Sequence, residues 1–204
     1  MKNFNKRILA SIVVIALMGV AIGAGTLAYF SDTETSTGNT FTAGTLDLQV
    51  DGGDVNVVKW TVANFKPTGQ ATKTFALQNV GSISGYLDIE NIVVTEYEND
   101  LIDPEADAGD VTPSVGELGS VVKINLFIDQ DGDGWYDAGD VYIQTNTFIK
   151  DLPANFELDQ LMTPGQTIYI SGQVNWWSTA DDNLAQSDSL DLGLEFELGQ
   201  TAAQ

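Results

Sequence analysis

The chain has 204 residues, a formal net charge of −21, and neither cysteine nor histidine. Without cysteine there is no disulfide framework, thiol nucleophile, iron–sulfur centre or zinc–thiolate site. Without histidine there is no Ser-His-Asp triad, no HExxH metalloprotease site and no imidazole base near neutral pH. A pI near 4.1 argues against nucleic acid as a partner, because phosphate binding needs clustered Lys and Arg.

Lys2, Lys6 and Arg7 precede an uncharged run over residues 8–27, ILASIVVIALMGVAIGAGTL. A positive start, an apolar stretch and a small-residue exit form the pattern of a secretory signal helix. Thr26 and Ala28 stand at −3 and −1 of a cleavage between Ala28 and Tyr29. The run is also long enough to be kept as a membrane anchor. Gly19, Gly23 and Gly25 weaken a long helix and favour removal of residues 1–28, leaving no membrane attachment. The mature part then carries five lysines against all 29 acidic residues, a net charge of −24. Such self-repulsion favours solubility and opposes compaction unless cations offset it.

Residues 29–44, YFSDTETSTGNTFTAG, are Thr-rich and free of helix signals. They read as an extended segment with Tyr29, Phe30 and Phe41 as its apolar anchors. From residue 45 onward a ladder of strand-like runs follows, consistent with one domain over 45–204. Runs 45–50 (TLDLQV), 55–63, 73–79 (KTFALQN, with Phe75 and Leu77 inward) and 86–95 (YLDIENIVVT) are separated by Gly-, Asn- and Pro-bearing turns. Alternation bounded by such turns is the signal of half-buried antiparallel strands.

Residues 96–119 break the pattern with eight acidic side chains from Glu96 to Glu117. They read as a long connection with one helical turn and mostly solvated charges. Strands resume at 120–128, 141–147, 166–177 and 190–198. In the last, Leu190, Leu192, Leu194, Phe196 and Leu198 make a strict apolar stripe. Adjacent Trp176 and Trp177 must face opposite sides of their strand. The ensemble predicts an all-β fold, a jelly-roll-like antiparallel β-sandwich. Near the end, Asp181, Asp182, Asn183, Asp188 and Asp191 cluster in sequence. Their spacing fits no standard calcium loop, and they read as solvated loop residues, with a second calcium site as the other reading.

The sharpest motif spans residues 129–140, DQDGDGWYDAGD. Against the twelve-residue calcium loop, Asp129, Asp131, Asp133, Asp137 and Asp140 fall at positions 1, 3, 5, 9 and 12. Gly134 stands at the sharp turn of position 6, and Trp135 at position 7 offers its backbone carbonyl. Position 12 is Asp rather than Glu, and both flanks read as strands rather than helices. The expectation is a structural calcium ion held by a loop inserted in a β-hairpin. The other reading is an acidic turn without metal.

The stretch GTLAYFSDTETSTGNTFTAGTLDL over 25–48 resembles the N-terminus of the TasA/camelysin family. Within it FTAGTLDL, 41–48, is the specific element, and KTFALQNVGSISGYLDI, 73–89, is similar to the family's strand with an Asn-x-Gly-Ser turn. LFIDQDGDGWYDAGD also resembles archaeal and bacterial relatives with the same insertion. The resemblance implies export through a SipW-type signal peptidase and a jelly-roll subunit of an extracellular pilus or biofilm-matrix filament. It also implies head-to-tail self-assembly by donor-strand complementation, in which the mature N-terminal segment of one subunit adds a strand to the next, as in TasA fibres and archaeal bundling pili. Camelysin relatives carry a peptidase label. This chain lacks the histidines of a zincin, and its carboxylate pairs are too plentiful to single one out, so it reads as non-enzymatic. A reading from another class is a monomeric calcium-binding adhesive or carbohydrate-binding module, with Trp60, Trp135, Trp176 and Trp177 as stacking residues.

Overall fold

The strict apolar stripe near the C-terminus lies at the heart of one sheet. The computed structural model describes residues 43–177 and 181–202, which contain nine strands. They are β1 (Leu48–Val50), β2 (Val57–Val62), β3 (Gln70–Asn79), β4 (Gly85–Tyr97), β5 (Val122–Asp129), β6 (Val141–Phe148), β7 (Phe156–Met162), β8 (Thr167–Trp176) and β9 (Ser189–Gly199). Between β4 and β5 come two short helices, α1 (Asp103–Ala108) and α2 (Leu118–Val121). The signal segment 1–28, the cleavage pair Ala28 and Tyr29, and the donor anchors Tyr29, Phe30 and Phe41 lie outside the described residues.

All strand pairs are antiparallel. One sheet runs β1-β3-β8-β5-β6 and the other β2-β9-β4-β7. Most consecutive strands therefore lie in different sheets, the interleaving of two Greek keys that defines a jelly roll. β9 is central, paired with β2 on one side and β4 on the other. Its alternation sends Leu190, Leu192, Leu194 and Phe196 into the core at 1% exposure or less. Phe75 of β3 meets Phe196 from the opposite sheet, ring centroids 5.7 Å apart. Gly172 of β8 is required where Trp60 of β2 crosses: a Cβ there would lie 2.9 Å from the indole. Trp176 is buried at 2% and its neighbour Trp177 is 65% exposed, the opposite facing that strand geometry demands.

The strand expected over 45–50 shortens to β1 because its first backbone groups are engaged elsewhere. The amides of Ser82 and Ile83 donate to Thr45 O, and Val80 N donates to Asp47 O. The buried Asn79 shapes this turn, donating to Ile83 O and Met162 O and accepting from Gly81 N. A Cβ on Gly81 would sit 2.3 Å from Thr45 O. The AGTL stretch and the Asn-Val-Gly-Ser turn are thus two halves of one contact. β7 is a strand that alternation misses, since Gln160 interrupts the apolar stripe and Leu161 points outward, 45% exposed. Its pairing with β4 shifts register at Asp88, whose buried carboxylate accepts from Leu158 N and Asp159 N at 2.6 and 2.8 Å.

Truncating Phe196 to Ala removes the ring that joins the two sheets, and should cost about 3–5 kcal/mol of unfolding free energy. Trp177→Ala should change it by no more than about 0.5 kcal/mol. Denaturant titration of both variants checks the assigned faces.

Candidate metal centre

The loop expected to hold calcium joins β5 to β6, so its flanks are the strands of a hairpin, as their sequence indicates. In β5 the alternation places Val122, Ile124 and Leu126 in the core. Phe127 and Asp129 then face the outside of the sheet, yet are 0% and 1% exposed. They are covered because residues 130–140 fold back across the outer face of β8 and β3. Tyr136 and Tyr142 stack at 3.7 Å between centroids, and both meet Phe127 edge-on.

Asp129 anchors the fold-back. Its Oδ1 accepts from Gly132 N at 2.7 Å. Its Oδ2 accepts from Gly134 N at 2.9 Å and from the Ser171 hydroxyl at 2.7 Å. Burial by itself would raise this carboxyl, but the Ser171, Gly134 and Gly132 hydrogen bonds hold it below the ordinary Asp range. Gln173 of β8 donates to Gly134 O, and Thr74 of β3 shares a 2.7 Å hydrogen bond with Ser171. Close approach explains two glycines. Gly132 (φ +74°) lies against the Tyr169 ring, and Gly134 (φ +84°) would bring a Cβ to 3.2 Å from Thr74 Oγ1.

Asp131, Asp133 and Asp140 hold the loop by accepting hydrogen bonds from its own backbone amides. Asp133 N donates to Asp131 Oδ1 and Trp135 N to Asp133 Oδ1. Asp140 closes the turn by accepting from Gln130 N and Asp137 N. Asp129, Asp131 and Asp133 each bring a carboxylate oxygen within 4.8 Å of the others. Asp137 is pushed above its usual range by partial desolvation and by repulsion from Asp131, Asp140, Asp133 and Asp129. Five carboxylates therefore feel one another here, with oxygens of the hard kind that calcium prefers. The Trp135 side chain is half exposed.

The remaining acidic residues depart from expectation. The sequence cluster near the C-terminus disperses: Asp182 Oδ1 accepts from Trp176 Nε1, and Asp191 pairs with Lys59 at 2.5 Å and accepts from Thr61 Oγ1. Asp188 is buried instead beside the 96–119 excursion. That excursion is solvated only in part: Asp100, Asp103 and Asp107 are exposed, but Glu105 is 0% and Asp110 8% exposed. No spacing rule signals this gathering, since its members come from distant turns. The docking residues Ser171 and Gln173 were equally silent. Their only signal is polar character at outward positions of a strand whose inward positions are apolar.

A family model described as "Camelysin metallo-endopeptidase" matches residues 3–204. No curated protein matches the chain.

Gly134→Ala forces a left-handed φ on a side chain and crowds Thr74. It should destabilise the hairpin by about 1–2 kcal/mol. Faster amide exchange over 130–140, with β9 unchanged, would be the readout.

Proposed function

We propose that this chain, which belongs to the camelysin (TasA) family, is a secreted subunit of an extracellular filament. It polymerises head to tail by donor-strand complementation and is stabilised by calcium in the 129–140 loop. The observation that carries this reading is the arrangement of sheet edges. The chain reaches the sandwich at β1, a three-residue edge strand, and Ala43, Gly44 and Thr45 before it are exposed. On the far edge of that sheet is β6, which together with the edge strand β7 lines a cleft of about 260 Å³ containing Ile128, Ile143, Phe156 and Leu158. A segment leaving one edge and a half-apolar cleft at another make a heterologous pair of surfaces. Such pairs build open filaments rather than closed dimers. An added strand satisfies the unpaired backbone groups of an edge. Residues 29–42 span roughly 46 Å when extended, ample to cover a strand the length of β6.

The family description names a metallo-endopeptidase, and the donors here do not fit that chemistry. A catalytic zinc is held by His, Cys and carboxylate combinations with one open position. This chain has no His and no Cys. Its acidic groupings offer carboxylates alone, a donor set suited to calcium. We therefore read the chain as structural, with a signal peptidase as its partner during export and other copies of itself afterwards.

Electron microscopy of the processed protein should show long fibres, and deletion of residues 29–42 should leave monomers. Monomers from the undeleted protein under all conditions would sink the filament reading and favour a surface-binding module, for which exposed Trp135 and Trp177 are the stacking residues. For the metal, calcium a thousandfold above its Kd should add about 4 kcal/mol of stability. Asp131→Ala with Asp133→Ala should remove the loop's share of that increment and the calcium-dependent slowing of amide exchange over 130–140, and equal melting temperatures of the parent in calcium and in chelator would rule the loop site out.

A further inference from the structure

The strongest unexplained feature is a buried group of carboxylates where β4 ends and β9 begins. Glu98 follows β4, Glu105 sits in α1, Asp110 just beyond it, Glu117 before α2, and Asp188 before β9. Glu105, Asp110 and Asp188 are 0%, 8% and 3% exposed. Side-chain oxygens of Glu98, Glu105 and Asp188 lie within 4.8 Å of one another, as do those of Glu98, Asp110 and Glu117. Glu98 thus joins two trios into one grouping.

Two further observations separate this grouping from an ordinary acidic patch. The first is orientation. In four of the five side chains one oxygen is held: Glu105 Oε2 accepts from Ile102 N at 2.8 Å, and Asp110 Oδ1 from Thr112 N at 2.7 Å. Asp188 Oδ2 accepts from Glu117 N at 2.6 Å, and Thr112 Oγ1 donates to Glu117 Oε1 at 3.0 Å. The second is what remains. Glu105 Oε1, Asp110 Oδ2, Glu117 Oε2, Asp188 Oδ1 and both oxygens of Glu98 are shut away from solvent with no hydrogen-bond partner. Among the described residues the salt bridges are Lys59–Asp191 and Lys73–Asp51, so no lysine pairs with this group.

We propose that these five carboxylates form a second, buried divalent-cation centre, built for calcium and distinct from the 129–140 loop. Six unpaired oxygens match the lower end of the six to eight that calcium takes, and within each trio the ligand oxygens lie no more than 4.8 Å apart, close enough to converge on an ion at calcium–oxygen bond lengths of about 2.4 Å. Magnesium keeps several of its waters, which suits a solvent-excluded all-carboxylate cage poorly. Leaving the group as it stands would bury unpartnered acceptors and like charges together, which is costly. The ion's role is a clamp. It ties the 96–119 excursion and the turn before β9 to the sandwich, and with its ligands closed from solvent it presents no open position for substrate.

The test uses the full chain stripped with chelator and titrated with calcium alone by calorimetry. The parent should bind more than one ion, and Asp131→Ala with Asp133→Ala should still bind at least one. Glu98→Gln with Asp188→Asn should lose that binding at least tenfold, the scale of metal-site perturbations. In chelator this variant should melt no lower than the parent, since it removes like charges, whereas a purely hydrogen-bonded network would weaken in chelator and calcium alike. Should the variant fold poorly, amide exchange in the loop variant decides: calcium should slow exchange of Ile102, Thr112 and Glu117 at least tenfold. A single ion abolished by the loop variant, or unchanged exchange at those amides, overturns the second centre and leaves the loop reading intact. No bound calcium at all overturns both.

Discussion

Repulsion among carboxylates governs how this protein is built. Twenty-nine acidic side chains share the chain with eight basic ones, and among the described residues the salt bridges are those of Lys59 and Lys73. Ion pairing therefore cannot neutralise the charge, and the fold relies on hydrogen-bond donors of the main chain. Asp88 takes two amides at the β4 bulge, Asp129 takes two in the hairpin, Glu96 takes Gly119 N and Asp188 takes Glu117 N. Hydrogen bonds to an ionised acceptor are about twice as strong as neutral ones, so a buried carboxylate becomes a fastener where a buried apolar residue would only fill space.

Those fasteners lie outside the greasy core. The interior between the sheets is apolar, with Phe75 and Phe196 at its centre and aromatic or aliphatic side chains around them. Acidic groups instead secure what the core does not reach: the loop folded over the outer face of β8, the bulge between β4 and β7, and the excursion between β4 and β5. The jelly roll supplies a rigid platform, and the carboxylates fix long connections to it. That division accounts for a fold with no disulfide that carries connections of this length.

The same division bears on assembly. Calcium acting on connections would leave the sheet edges free, because the loop rests on a face and the acidic excursion lies at an end. β1 and its preceding residues are fixed by the Asn79 turn rather than by a long ladder. A short, side-chain-organised edge is a sound root for the donor segment in the proposed assembly. The endopeptidase description attached to the family meets a chain with no His and no Cys, whose acidic groupings offer oxygen donors alone.

Much of this was legible in the residues themselves. Strict alternation in 190–198 fixed a central strand and its inward face, and adjacent Trp176 and Trp177 had to part, because the side-chain period of a strand is two. The spacing of aspartates and glycines in 129–140 marked a tight loop between two strands, because Asp side chains accept amides one turn along and Gly takes the left-handed bends. Periodicity was blind elsewhere. β7 breaks its stripe at Gln160. Ser171 and Gln173 look like ordinary surface residues until the loop folds onto them. Glu98, Glu105, Asp110, Glu117 and Asp188 resemble any solvated acidic tract, because their meeting depends on β4 and β9 pairing side by side over residues about a hundred positions apart. Local sequence determined most of the strands and turns and the run of aspartates between β5 and β6, where the geometry is set by φ, ψ and spacing. Only the tertiary structure decided which carboxylates are buried together, because burial is a property of the packed chain.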